Sequence, residues 1–494
     1  MLTQLPSATY TELDQSTVPP AQLSDYHGLI TPTLFGPSDQ PYLITTVDAF
    51  NAQFGANGAG NPFYASIKRA LARGAAFYIQ RLVATGATEA TVVLGASEVS
   101  VTAKWAGTYA NGNLSVQYTP ISVGITEVIL AVNYGPNSLL NEIWTAATYT
   151  ALVAVVNANS KLVTMSLGTT PTEPVSSVGA PIYLAAGSDG AFSSPTLRAT
   201  AANALLPNFN NLTNLTTIGI LGGYTAGDHS NILAYASGRG DVFAIGELDP
   251  SLTPANALTA AAALAIPVGS SYLALYWGSY IQAWSPDDGA TVSTPALPDI
   301  MAVYSYSDTA AGNQYEAPAG STRGLIPNVS GFAYNMMSQA NSPDANALVA
   351  LGINIIGLHK TYGPVVWGAG TMNQKNSAMD AINVRRMMIW LRDQLQPIYD
   401  GELFEPMNPQ SWLTAYNQIK PILQQLVSGQ AISQWSYIGD QNASTIAGAT
   451  YNTAANLANG QYKALINLWP TGYISSIQFT AEVNNLLSLF QSSN

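Results

Sequence analysis

No cysteine occurs among the 494 residues, so disulfides and thiolate metal sites are excluded while the redox compartment stays open. Charge is scarce as well: Asp, Glu, Lys and Arg make up 9% of the chain, against about 25% in an ordinary soluble domain. With 16 basic residues against 28 acidic ones the formal net charge is −12, and the basic footprint that nucleic-acid phosphates require is missing. Histidine is nearly absent. His27, His229 and His359 are the only three, and none falls in an Asp, His, Ser series with the serine at a helix start after a glycine turn, so triad hydrolysis is not expected. The most apolar window, Ala255–Trp277, is broken by Pro267 and two serines and reads as a buried helix and strand instead of a membrane span. The first 15 residues lack a basic segment followed by an apolar one, so no secretory signal is expected.

What is present is bulk. At 47% hydrophobic residues the chain can build ordinary cores, and its length implies two to four domains. Small apolar and uncharged polar residues must cover much of the exterior, which suits a surface buried against neighbours; a compositional habit is the plainer alternative. Other chemistry is thinly supported. The glycines between Gly55 and Gly60 have the wrong spacing for a dinucleotide turn. Asp287-Asp288 is followed by no spaced series of calcium ligands, so an ordinary turn is the better account. Glu402 and Glu405 as a glycosidase pair is weaker than a helix-end or surface placement. Nine tryptophans and 26 tyrosines are dispersed and read as core and interface material.

Along the chain, residues 1–20 end in Pro19-Pro20 and alternate as an edge strand around Tyr10, Glu12 and Leu13, with a frayed tail as the alternative. From Gly28 the pattern is strand, turn, strand, short helix. A second helix follows, with Tyr64, Ile67 and Leu71 on one face and Lys68, Arg69 and Arg73 away from it; Arg81 ends the next strand. Residues 90–188 become β-branched and turn-punctuated, which predicts an inserted all-β domain. From Ser194 helices and buried strands alternate again. The stretch from Met301 to Asn408 reads as strand, turn, buried strand, turn and a long helix. That helix carries Val384, Met387, Met388, Leu391 and Leu395 in one stripe, with Pro397 marking its end. Asn408-Pro409 starts another helix with Trp412, Tyr416, Ile419, Leu423 and Val427 at helical spacing and a kink expected at Pro421. The final stretch alternates at Ile477 and Phe479. The fold class is therefore mixed α/β and multidomain: a central mixed sheet flanked by helices, an inserted all-β domain, and extended terminal arms.

The central stretch resembles a known family. "PAG" at Pro318–Gly320, "GIN" at Gly352–Asn354, "VWGA" then Thr371, "INVRR" at Ile382–Arg386 and "FEPMN" at Phe404–Asn408 follow in order the motifs of contractile phage tail sheath proteins, with their subtilisin-like core. The opening around Tyr10 and Glu12, with Ser7 where a glycine is usual, the run AKWAGTYANGN and the run LAAGSDG are similar to further parts of that family. One departure is Gly370, where the family usually carries arginine.

The resemblance implies an N-terminal arm (1–20), a core in two parts (21–89 and 189–472, the latter subtilisin-like over 189–370 and C-terminal over 371–472), the insertion at 90–188, and a C-terminal arm (473–494). It implies a non-enzymatic structural subunit without cofactor or metal, polymerising with itself in stacked rings around an inner tail tube protein. Contraction would drive the tube through the host envelope. Baseplate and tail terminator proteins are the further partners implied, and no nucleic-acid contact or membrane insertion is expected. The location implied is the virion tail, assembled in the host cytoplasm. Inter-subunit strand exchange is expected through Tyr10, Glu12, Leu13, Ile474, Ile477 and Phe479, and electrostatic contacts through Lys68, Arg69, Arg73, Arg385 and Arg386. The sheath of a phage-derived injection or secretion device is the near alternative; a secreted carbohydrate-binding or hydrolytic protein is the alternative of another class.

Overall fold

The computed structural model describes residues 26–55, 61–94, 99–121, 126–136, 138–167, 180–285, 289–406, 408–459 and 461–473. Its largest unit is an eight-stranded sheet in the order Gly363–Val366, Ile353–His359, Leu273–Trp277, Phe243–Glu247, Leu215–Ile220, Tyr26–Thr31, Ala76–Arg81, Tyr42–Ile44. The six inner strands are parallel, and each edge strand is antiparallel to its neighbour. Phe243–Glu247 and Leu273–Trp277 are buried along their whole length, as a parallel strand covered on both faces must be.

Alternate side chains feed two apolar layers. Phe243, Ile245, Ala274 and Tyr276 join one cluster with Tyr64, Ile67, Ile300 and Met301. Ala244, Leu273, Leu275 and Trp277 join the other with Ala202, Ile232, Ala257 and Leu348. Helices Val47–Phe54, Pro62–Ala72 and Leu297–Ala311 thus cover one face, and Pro195–Leu205, Ala226–Arg239, Pro254–Ala263 and Ser342–Ala350 the other. Their starts are written locally: Asn61, Ser194, Thr225 and Thr253 each accept a first-turn backbone N–H.

Three expectations change here. The stretch after Met301 is helical, not extended: Leu297–Ala311 has proline in its first turn and ends on Gly312 at φ +67°. Residues on all its faces are buried, so it has no amphipathic period to betray it. Its missing side-chain cap is supplied from the sheet, where the Glu247 carboxyl oxygens accept from the N–H groups of Ala296 (2.8 Å) and Leu297 (3.2 Å). Pro397 does not end its helix, which runs Ile382–Glu402; Pro397 is exposed, so the ladder is interrupted on the solvent side while Ile398 and Tyr399 still pack inward. The third change lies in residues 90–188. The expected strands are there, but helix Tyr149–Asn159 lies among them, capped by Thr148 and burying Leu152 and Val156, so the segment is not all-β.

That segment makes two antiparallel sheets of its own, Thr91–Leu94 with Val99–Ala103 and Val163–Leu167, and Ile182–Tyr183 with Leu114–Thr119, Val128–Tyr134 and Glu142–Ala146. They share a cluster including Val101, Leu114, Val116, Leu130, Leu152 and Val163. The runs AGTYANGN and LAAGSDG meet at its neck. Asn111 donates to the Gly187 carbonyl (2.8 Å) and accepts from its N–H (2.9 Å), and Asp189 accepts from the Thr108 N–H (2.8 Å). Gly190 has φ +66°, and a Cβ there would press on the backbone of Thr85 and Ala87 at 2.7 Å, which is why glycine closes the run.

In the C-terminal part, Val384, Met387, Leu391 and Leu395 pack against Ile419, Leu423 and Leu426 of helix Pro409–Ser428. Leu426 takes the buried place expected for Val427, because the contact seam returns every seventh residue from Trp412 through Ile419. An antiparallel pair, Ile432–Ile438 with Leu465–Pro470, completes this part.

Candidate functional site

Helix Leu297–Ala311 is held from two directions. Arg69, on Pro62–Ala72, donates through Nε (2.9 Å) and Nη2 (2.5 Å) to the two Asp299 carboxylate oxygens and to Thr294 (2.8 Å). Arg386, on Ile382–Glu402, makes the same two-pronged contact with Asp308, at 2.8 Å for the Nη1–Oδ1 arm, and lies 4.9 Å over the Tyr304 ring. All four side chains are at most 4% exposed. These two arginines, expected to reach neighbouring subunits, are therefore consumed within this one. Lys68 is also fully buried. The helix face that carries them packs on Leu297–Ala311 instead of facing water, and the periodicity of three apolar residues alone does not reveal that. Arg73 and Arg385 are half-buried, stacked on Tyr306 (4.8 Å) and Tyr272 (4.3 Å). Arg81 donates to the carbonyls of Thr33, Leu34 and Gly36 on the core and Ala106 on the insertion.

Two of the three histidines, His27 and His229, are fully buried. His27 contacts Ser305 Oγ and Thr217 Oγ1, both at 2.6 Å, so a serine–imidazole pair exists that the sequence did not disclose. It lies inside the sheet–helix interface, its third member is a hydroxyl in place of the carboxylate of a hydrolase triad, and Ser305 sits in mid-helix instead of at a helix start. Burial, helped by the nearby Arg386 charge, lowers the His27 pKa to about 3, and burial lowers that of His229 to about 4 against the opposing effect of Asp228. His359 contacts the rings of both Tyr362 (4.7 Å) and Trp367 (4.9 Å), which also lie 6.4 Å from each other, so the three form one aromatic cluster.

Four of the five central motifs converge. Asn354 of "GIN" accepts from the Gly370 N–H (2.7 Å) and donates to the Gly370 and Leu275 carbonyls (2.8 and 3.0 Å). Ile382 of "INVRR" donates its N–H to the Ala369 carbonyl at 2.9 Å. Beside "PAG", Gly324 lies so close to the Val366 carbonyl that a Cβ would stand 2.6 Å from it. Three of them, "PAG", "GIN" and "VWGA" with Thr371, border a groove of about 830 Å³ lined by residues including Gly320, Arg323, Val349, Trp367, Gly370 and Tyr473. Around Gly370 only ordinary contacts would meet a Cβ, so the position where the family usually carries arginine opens into this space. The fifth motif stands apart. Phe404 lies between the two long C-terminal helices, is fully exposed, and has φ +71°, a region that costs an L-residue about 1–2 kcal/mol.

Tyr10, Glu12, Leu13, Ile474, Ile477, Phe479 and the pair Asp287-Asp288 lie outside the described residues. Among the described residues no helix is long and apolar enough to cross a membrane.

Against known proteins, the shared architecture is decisive. The sheath tail protein of Desulfitobacterium hafniense superposes with a TM-score of 0.59 over 88% of this chain and 94% of its own, at 16% identity. The chain has the fold of sheath tail proteins. The sheath tail protein Lin1278 of Listeria innocua is similar over 90% of this chain and 95% of its own (TM-score 0.57, 11% identity). A contracted sheath complex of an extracellular contractile injection system is similar over 98% and 99% (TM-score 0.56, 14% identity). In sequence, the tail sheath protein of Vibrio phage KVP40 is 29% identical over 136 residues, a match spanning 28% of this chain and 20% of that relative. No family model matches the chain. In the sheath fold the five motifs thus have visible duties: four lock strands and helices together, and one exposes an aromatic ring.

Proposed function

We propose that this chain is the structural subunit of a contractile tail sheath, polymerising around an inner tube and contracting to drive that tube through a host envelope. The observation that carries the reading is the likeness of nearly the whole chain to sheath proteins of contractile assemblies, joined by the sequence match to a phage tail sheath protein. The subunit has no catalytic role, and its partners are other copies of itself, the inner tube, the baseplate and the tail terminator, within a virion tail. A sheath of a phage-derived injection device is a second reading, favoured by the similarity to the injection-system sheath. Electron microscopy of the purified protein tests both against any soluble enzyme: striated tubes or rings are expected, and a persistently monomeric protein refutes the proposal.

Polymer links by strand addition extend the reading. The pair Ile432–Ile438 and Leu465–Pro470 is a two-stranded sheet among the described residues, with Ile438, Leu465 and Trp469 exposed. Such a sheet gains by accepting further strands, and the arms around Tyr10–Leu13 and Ile474–Phe479 supply alternating sequence for it. Each added strand contributes roughly 1 kcal/mol per backbone hydrogen bond, so single links are soft and the lattice is held by their number. Deleting 1–20 or 474–494 should leave a folded, soluble monomer that makes no tubes; normal tubes from both truncations would refute strand exchange. The 90–188 segment, joined at one neck, is an inserted module facing outward. Of the five basic residues expected at subunit contacts, Arg73 and Arg385 alone remain half-exposed and available for that role.

A further inference from the structure

Among the described residues two exposed features stand out: the Phe404 knob and the Trp367 groove. Phe404 is a bulky residue held at φ +71° with its ring wholly in water, and the adjoining Leu403 is 60% exposed. An unfavourable backbone region combined with an unpartnered aromatic ring is doubly costly to an isolated subunit, and such strain persists where it has a use. The groove is the complementary shape: concave, bordered by the exposed Val349 and Trp367, and lined by Gly370, where even a Cβ would meet nothing closer than 3.6 Å. Since Phe404 is fully exposed it does not occupy its own groove.

We propose that Phe404 of one copy of this chain seats in the Trp367 groove of a second copy. The flanking charges agree. Glu402 and Glu405 bracket the knob, while Arg323 lines the groove and Lys375 is exposed beside its lining residues Gln374 and Asn376. The groove also contains Asp380, but its carboxylate accepts from Asn373 and from the N–H groups of Lys375 and Ser377, and Arg323 keeps a partner in Glu316 at 2.9 Å. The charges therefore orient the contact, and the ring anchors it, as buried aromatic residues do at interface centres. Knob and groove are different patches of one chain, so the contact can run head-to-tail from copy to copy, as an assembly of rings or helices requires, and a covalent ladder longer than a dimer distinguishes this from a reciprocal two-fold pair.

The proposal rests on the reading of the chain as a self-polymerising subunit, and the test separates the two. In sedimentation and electron microscopy of the full chain, Phe404→Ser is expected to raise the concentration needed for tubes at least about tenfold. Phe404→Gly, which removes the ring and relieves the backbone, should do the same while leaving the monomer's Tm unchanged or higher. Gly370→Arg, projecting into the groove from within, should also impair assembly. Because the chain has no cysteine, Leu403→Cys, beside the intact ring, combined with Val349→Cys and treated after assembly with a short bismaleimide should give a ladder of covalent multimers, and neither single variant should. Wild-type tube formation by Phe404→Ser, or assembled double variant without a ladder, overturns the anchor and leaves the sheath reading standing. Failure of the wild-type chain to form any tube overturns both.

Discussion

Replacing Arg386 by methionine tests whether the core is organised around helix Leu297–Ala311. The substitution keeps a long flexible stem and removes the charge that faces Asp308, which is fully buried. A buried carboxylate without its partner costs about 3–5 kcal/mol, a large part of the roughly 5–15 kcal/mol that holds a typical protein folded. Asp308→Asn should cost a comparable amount by leaving the guanidinium unmatched. The double variant Arg386→Met with Asp308→Leu should be less damaged than the sum, because both desolvation penalties go together. Urea unfolding of the unassembled subunit, followed by tryptophan fluorescence and far-UV circular dichroism, gives the energies and shows whether the parts unfold together. A second readout is specific to the site. Arg386 helps to depress the His27 pKa, so Arg386→Met should raise it, while burial keeps it well below 6.5. A loss of under about 1 kcal/mol for Arg386→Met would mean that the pair is a surface-like contact, and the idea of a clamped central helix would fail.

Arg81→Ala removes donors to carbonyls on both core and insertion; hydrogen bonds to charged groups contribute about 1.5–3 kcal/mol each, so limited proteolysis should cut the neck near residues 84–90 far faster than in the wild type, and equal cleavage rates would refute the latch. His27 and His229 have folded pKa values near 3 and 4, below the unfolded 6.5, so their contribution to stability is complete above pH 6.5 and is lost as pH falls toward those values; His229→Leu should flatten the acid limb of a stability–pH curve. Burial raises Glu247 to about 8 despite its two backbone donors, so its contribution is full below pH 4.5 and is lost as pH rises through 8. Glu247→Gln should accordingly gain on the wild type at alkaline pH, and an unchanged alkaline limb would refute the assignment.

The sequence was most readable where one local rule had no rival. Asn408-Pro409 predicts a helix start, and Asn408 Oδ1 accepts from Gln410 and Ser411 as a cap should. The runs TTIGILGG and DVFAIGEL predict buried strands, and they lie at the centre of the parallel sheet. It was least readable where tertiary packing decides. MAVYSYS has strand-forming composition, yet a helix buried on every face over its first two turns shows no amphipathic spacing there and takes its cap from Glu247, some fifty positions away. Arg69 and Asp299 are separated by 230 residues, and no spacing rule connects them. Helix Tyr149–Asn159 was hidden by its β-branched residues, although Thr148 in front of it is a good cap. The contiguous motifs were visible as strings, but that three of them border one groove follows only from the crossing of strands and loops.

The low charge of the chain gains a sharper meaning once its arginines are located. Scarce charge by itself suggested a surface covered by neighbours, and basic residues near Lys68 and Arg385 suggested electrostatic contacts there. The structure separates these ideas. Arg69 and Arg386 are spent on buried aspartates, Arg81 on backbone carbonyls, Arg198 on Asp228 at 2.9 Å and Arg239 on Asp241 at 2.7 Å. The exterior is thus poorer in available cations than the composition states. With so few available cations and a net charge of −12, copies of the chain repel at long range instead of steering one another together, so the proposed association rests on shape, the Phe404 knob and backbone pairing. The same arginines make the interior stiff, because a two-pronged Arg–Asp pair fixes both distance and angle between the helices it joins. Stiffness within and soft, exchangeable links without are what a subunit needs if it is to keep its fold while the lattice around it rearranges.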